Sequence, residues 1–137
     1  MAVPFKLREI DHVVLRVSDL QRSVDFYVKV LGCAIERHQE AIGLMQLRAG
    51  RSLIDLVPLD GKLGRMGGAG PGAEGRNVDH VCLRVEPFDE KAMIAHLREA
   101  GVSPGTVEQR FGAEGEGPSI YLNDPDGNNI ELKGPPA

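Results

Sequence analysis

The sequence predicts an α+β fold, built as two tandem β-α-β-β-β modules forming a curved mixed sheet around a cleft, with the helices outside. Three observations carry this reading. The segment Asp11-His12-Val13-Val14-Leu15-Arg16-Val17 returns as Asp79-His80-Val81-Cys82-Leu83-Arg84-Val85, with only Val14 replaced, by Cys82. A shorter echo closes each half, Ile54-Asp55-Leu56 and then Ile130-Glu131-Leu132. Within each half the apolar period runs from two, to helical, and back to two. The expected division is a first module over residues 8–59, a Gly-rich linker over 60–77 and a second module over 78–134, together one domain.

Residues 10–17 alternate and are rich in β-branched side chains, which predicts a strand. Ser18-Asp19-Leu20-Gln21 has the spacing of a capping box. Leu20, Val24, Tyr27, Val28 and Leu31 then recur at helical period, and Gly32 is placed to end that helix. Strands are expected over 33–39, 42–48 and 52–58. Residues 60–77 hold seven glycines and one proline without periodicity, and read as a linker or loop. A phosphate-cradling role is disfavoured there, because a strand rather than a helix follows the glycines. The second half repeats the pattern: a strand over 78–85, a helix over 87–100 closed by Gly101, and strands over 106–111, 118–123 and 128–133. Asn123-Asp124-Pro125-Asp126-Gly127 is strong turn chemistry and makes the last two strands a hairpin.

The 137 residues are 42% hydrophobic and 26% charged, with a net charge of −4. No basic strip suited to nucleic acid is present. No apolar run is long enough to span a membrane, and residues 1–8 lack the apolar core of a signal peptide, so the expected compartment is the cytoplasm. Cys33 and Cys82 do not make a disulfide framework, and Cys82 reads as a small core residue.

Side chains alternate across a strand. Val13, Leu15 and Val17, with Ile54 and Leu56, are expected under the helix of the first half. Val81, Leu83 and Val85, with Ile130 and Leu132, repeat this in the second. His12, Asp55, His80 and Glu131 then all fall on the face without helices. A lone strand His is usually a core residue and a lone acid is usually solvated. Here residue type, face and repeat position agree in both halves, which points to a metal site. Imidazole with carboxylate suits Ni, Co, Zn, Mn or Fe(II). Open positions on such an ion can chelate two substrate oxygens and stabilise an oxyanion or enediolate. His38 and His96 lack this pattern and read as surface residues.

The duplicated pattern, the His at each repeat start and the Asp124-Pro125-Asp126-Gly127-Asn128 turn before Ile130-Glu131-Leu132 resemble the vicinal oxygen chelate (VOC) superfamily. This is the glyoxalase, bleomycin-resistance and extradiol-dioxygenase group, and the resemblance spans residues 8–133. Within it, Leu15 to Tyr27 and Lys29-Val30-Leu31-Gly32 are similar to bacterial glyoxalase I, the lactoylglutathione lyases. The resemblance implies that His12, Asp55, His80 and Glu131 bind a divalent metal, that Glu131 is also the catalytic base, and that Arg16 contacts glutathione as cosubstrate. Arg84 and Tyr121 are further candidate substrate contacts. The implied reaction is isomerisation of a glutathione hemithioacetal through an enediolate. Asp55 stands where glyoxalase I usually carries Glu, and Leu59 where it carries a glutathione-contacting Asn.

The alternatives are an extradiol-type Fe(II) dioxygenase using His12, His80 and Glu131, an epimerase or a thiol transferase of the fosfomycin-resistance kind, and a metal-free protein that sequesters a small molecule. Four complete ligand positions and 4% aromatic residues without Trp weigh against the last. The expected partner is a small molecule, within a homodimer. The four ligands meet either within one chain or across two copies, with His12 and Asp55 from one and His80 and Glu131 from the other.

Overall fold

A computed structural model describes residues 3–137. Its elements run β1 (His12–Val17), α1 (Leu20–Asp25), a π-helical stretch (Phe26–Val30), β2 (Ala34–Gln39), a 3₁₀ turn (Glu40–Ile42), β3 (Leu44–Ala49) and β4 (Ser52–Pro58). They continue with α2 (Lys62–Arg65), β5 (Val81–Arg84), α3 (Glu90–Glu99), β6 (Glu108–Gly112), β7 (Gly115–Asn123) and β8 (Asn129–Lys133). Each half makes one four-stranded sheet, ordered β1-β4-β3-β2 and β5-β8-β7-β6. In both, the strand that precedes the helix pairs parallel with the last strand, and the other pairs are antiparallel. A helical crossover is what a parallel pair requires, so the β-α-β-β-β order dictates mixed sheets.

The expected alternation holds. Leu15, Val17, Ile54, Leu56, Ile130 and Leu132 are buried, and join Leu47, Leu97, Ile120 and Leu122 in one core cluster spanning both halves. Val13, Val81, Leu83 and Val85 pack against it. Val14, on the opposite face, is 46% exposed.

Three local details depart from the expectation. The first helix is capped by Asp19, whose Oδ1 accepts from the Arg22 amide at 3.0 Å; Ser18 is free to bond Asp126 instead. The helix widens to π geometry after Asp25, then stops at Gly32, where φ is +81°. The segment expected to be only a loop carries the single helical turn α2. That turn packs so closely that a Cβ on Gly64 would lie 1.9 Å from the Pro58 carbonyl oxygen.

The halves are tied by polar contacts as well. The buried Tyr27 hydroxyl donates to Asp124 Oδ2 at 2.6 Å. Asp124 also accepts from the Asp126 and Asn128 amides and from Asn128 Nδ2. Burial and this carboxylate push the Tyr27 phenol far above its ordinary value. Asn77 Nδ2 donates to the Arg16 carbonyl and to Asn128 Oδ1. Among the described residues, no helix is long and apolar enough to cross a membrane.

Candidate functional site

The four residues singled out in the sequence occupy matching places. Asp55 lies opposite Val14 on β1 and Gln46 on β3. Glu131 lies opposite Cys82 on β5 and Tyr121 on β7. His12 aligns with Leu53, two residues before Asp55. His80 precedes β5, where Val81 aligns with Ile130, so it stands in the same diagonal relation to Glu131. Each half thus presents one imidazole diagonal to one carboxylate on the face away from the core.

The structure brings His80 and Glu131 together, with Nε2 3.3 Å from Oε1. It does not bring the two pairs together. Among the described residues, no three His, Cys, Asp or Glu side chains gather as a possible ligand set. The reason lies in the packing: the halves share a core through their helix-facing residues, and each pair sits on the opposite face of its own sheet. Convergence of all four on one point within a chain is therefore not what this fold builds.

Both carboxylates are nearly inaccessible, Asp55 at 3% and Glu131 at 5% exposure. Their surroundings differ. Asp55 Oδ2 accepts a long hydrogen bond from Gln46 Nε2 at 3.4 Å, and its Oδ1 is buried with no hydrogen-bond partner. Leaving a buried acceptor unmade costs about 1–3 kcal/mol, more if charged. A cation held there would supply the missing partner, so the donor set fits a divalent ion. Glu131 has company. The Tyr121 and His80 rings meet edge-on at 5.6 Å, and the Arg110 guanidinium lies over the Tyr121 ring, 4.5 Å from its centroid. Burial and the Glu131 carboxylate raise the Tyr121 phenol, so it stays a donor at neutral pH. The same two causes push the Cys82 thiol up to about 11.

Cys82 corrects the sequence reading. It is exposed rather than in the core, because it lies on the edge strand β5, on the face away from the core. His38 is exposed as expected. His96 is exposed too, and its Nε2 reaches the Val30 carbonyl of the first half at 2.8 Å.

Of the candidate substrate contacts, Tyr121 stands beside the acid. Arg16 donates to the Gly68 and Ala69 carbonyls at 3.1 and 2.8 Å. It thereby fastens the Gly-rich segment against β1, and a Cβ on Gly67 would sit 2.5 Å from Nη1. Arg84 Nε donates to Glu114 at 2.6 Å, bridging from β5 to the β6–β7 turn.

Two features of the site escaped sequence reasoning. Asp11 Oδ1 and Asp79 Oδ1 each lie 2.7 Å from Nδ1 of the following histidine. The signal was available, since both repeats begin with Asp. This hydrogen bond is the first cause of the raised His12 pKa. The second feature is Lys133, buried at 5% exposure on the same face as Glu131.

Residues 9–132 match the family model described as the glyoxalase/bleomycin resistance protein/dioxygenase superfamily. The chain is 33% identical over 130 residues to virulence protein STM3117 of Salmonella typhimurium, covering 90% of this chain and 81% of that protein. It is 32% identical over 127 residues to a lactoylglutathione lyase of Escherichia coli O157:H7, with 88% of each covered. The crystal structure of STM3117 superposes with a TM-score of 0.78 at 28% identity, covering 96% of this chain and 99% of that one. With two βαβββ-type sheets in sequence and a His and an acid at equivalent places in each, the chain belongs to the glyoxalase/bleomycin resistance protein/dioxygenase superfamily.

Proposed function

We propose that this chain is a metal-dependent, glyoxalase-like lyase or isomerase acting on a small, oxygen-chelating substrate. Its site is assembled from two copies, with His12 and Asp55 of one facing His80 and Glu131 of the other. The observation that carries the reading is Asp55 Oδ1, a buried acceptor without a partner, beside a histidine and on a face the core does not use. Two half-sites, each too small to hold an ion, support completion by a second copy. Likeness to a lactoylglutathione lyase over most of both chains supports the reaction class.

When bound, the divalent ion supplies Lewis-acid stabilisation of negative charge on substrate oxygens. The chain's residues supply the rest. His12, His80, Asp55 and Glu131 hold the ion. Glu131, between Cys82 on β5 and Tyr121 on β7, would take a proton from substrate carbon and return it. Tyr121 keeps its own proton and offers it as a hydrogen bond near the reacting oxygens. Glutathione is the proposed cosubstrate, with Arg16 able to exchange the Gly68 and Ala69 carbonyls for a carboxylate.

A mixed-dimer experiment tests the arrangement. One variant carries His12→Ala and Asp55→Ala; the other carries His80→Ala and Glu131→Ala. Each alone is expected to bind no stoichiometric metal. Co-refolded, they are expected to regain one intact site per mixed dimer, with hemithioacetal turnover near half the wild-type level per dimer. Metal uptake without hemithioacetal turnover would keep the shared site and reject the lyase assignment. No divalent metal on wild-type protein under any reconstitution would reject the reading and favour a small-molecule-binding role.

A further inference from the structure

We infer that Asp11 and Asp79 are positioning residues, each fixing the tautomer of the histidine that follows it so that the Nε2 lone pair is presented on the open face. The use of that lone pair rests on the metal-site reading; the tautomer itself does not.

An ionised carboxylate can only accept hydrogen bonds, so at 2.7 Å the Nδ1 of His12 and of His80 must carry the proton. A neutral imidazole has one N–H, which leaves Nε2 bare. In the second half that bare nitrogen lies 3.3 Å from Glu131 Oε1, so two acceptors face one another there, an arrangement that a cation held between them would satisfy. Free imidazole side chains favour the opposite tautomer, with the proton on Nε2. The carboxylate therefore reverses an intrinsic preference in both halves.

The geometry is a local one that strands do not ordinarily provide. Adjacent side chains in a strand point to opposite faces. Here Asp11 lies just before β1, and Asp79 and His80 both lie before β5, so each contact is made at the entry to a strand. The contact recurs at one distance although the residues around it differ: Val14 against Cys82, Gln46 against Tyr121, Asp55 against Glu131. The second copy is also braced, since Arg76 Nη2 lies 3.5 Å from Asp79 Oδ2. A carboxylate behind a ligating imidazole sets ring orientation and ligand basicity, and its loss typically costs about 10–100-fold in metal affinity.

The test uses full-length protein labelled with ¹⁵N-histidine, stripped with chelator and held above the imidazole titration range. Long-range ¹H–¹⁵N spectra then report which ring nitrogen carries the proton. His12 and His80 are expected as Nδ1–H, and His96, whose Nε2 faces a carbonyl, as Nε2–H. Asp11→Ala and Asp79→Ala are expected to return the adjacent ring to Nε2–H. Asp11→Asn and Asp79→Asn, which keep an accepting oxygen, are expected to retain Nδ1–H. In zinc titrations by calorimetry, the alanine variants should bind about tenfold more weakly, and the asparagine variants close to wild type. Nε2–H rings in the wild type, or alanine variants with unchanged tautomers, would overturn the inference. Correct tautomers in a wild-type protein that takes up no zinc would uphold the inference and sink the metal reading instead.

Discussion

The two open faces share a framework and differ in what surrounds the carboxylate. In the first half, Asp55 is set between Val14 and Gln46, and one of its oxygens has no partner. In the second, Glu131 is set between Cys82 and Tyr121 and lies against His80. Duplication preserved the register, the diagonal His–acid relation and the Asp–His pair, while the neighbours diverged. The lesson is a division of labour. On the proposed reading, the first half would supply an acid with one unpartnered oxygen to hold an ion, and the second a longer acid, beside Tyr121 and Cys82, to hold an ion and move a proton.

The comparison is broken most forcefully by removing the acids. Asp55→Asn and Glu131→Gln should each lower metal affinity by more than the roughly 100-fold upper range of an outer-shell partner, read by competition with a chelating dye. Gln46→Ala, which removes only the long hydrogen bond to Asp55, should change it far less. Equal effects of Gln46→Ala and Asp55→Asn would show that Asp55 is not a ligand.

Cys82 reports on the electrostatics of the second half without reference to activity. The residue is exposed as a whole, but partial burial of its thiol and the neighbouring Glu131 carboxylate raise that thiol to about 11. A raised thiol pKa means less thiolate at neutral pH, with reactivity returning only as pH climbs toward that value. At pH 8 its alkylation should be slower than that of an ordinary exposed cysteine. Glu131→Gln should speed it by removing the carboxylate contribution and leaving that of burial. Fast alkylation at pH 8 in the wild type would contradict the crowded, anionic surroundings described for Glu131.

The second half also reaches into the first through its β7–β8 turn, which is longer than the equivalent turn between β3 and β4. The β7–β8 turn places Asp124 under the Tyr27 hydroxyl. Tyr27→Phe removes that donor from a buried carboxylate and should destabilise by about 1–3 kcal/mol, seen as a lower urea midpoint. No change in midpoint would mean that the remaining donors to Asp124 suffice.

Much of this was legible in the sequence, and the reasons can be read from particular residues. The repeat gave the topology, and strand alternation put His12, Asp55, His80 and Glu131 on the uncovered faces. Period cannot reveal how two sheets face one another, so the separation of the two pairs was not readable; it depends on Leu97, Ile120 and their neighbours joining Leu15 and Leu56 in one core. Alternation assigned Cys82 its face correctly, but its residue type argued for burial, and the face decided. Arg16 was expected to contact glutathione, and its contacts with the Gly68 and Ala69 carbonyls were not readable, because backbone acceptors leave no trace in a side-chain pattern. Arg16→Ala should accordingly raise protease sensitivity between Met66 and Arg76 while leaving the fold's circular dichroism intact.

The smallest expected effect concerns the position after the acid on the same face. Arg16 aligns with Val57 in the first half, and Arg84 with Lys133 in the second. Both partners are buried. For Val57 burial is favourable. Lys133 stretches over two glycines, since a Cβ on Gly112 would meet its Cε at 2.8 Å and one on Gly117 its Nζ at 3.1 Å. Among the described residues, no hydrogen bond or ion pair engages the Lys133 ammonium, yet Asp55 Oδ1 is the one side-chain polar atom there that is both fully buried and unpartnered, so the Lys133 stem is buried while its nitrogen still reaches water. Methionine has a stem of similar length and no charge, so Lys133→Met should change stability by less than about 0.5 kcal/mol, leaving the urea midpoint and slope close to wild type. A clearly lowered midpoint would show that the ammonium is paired in solution, and that the two halves differ at this position in charge pairing as well as in residue type.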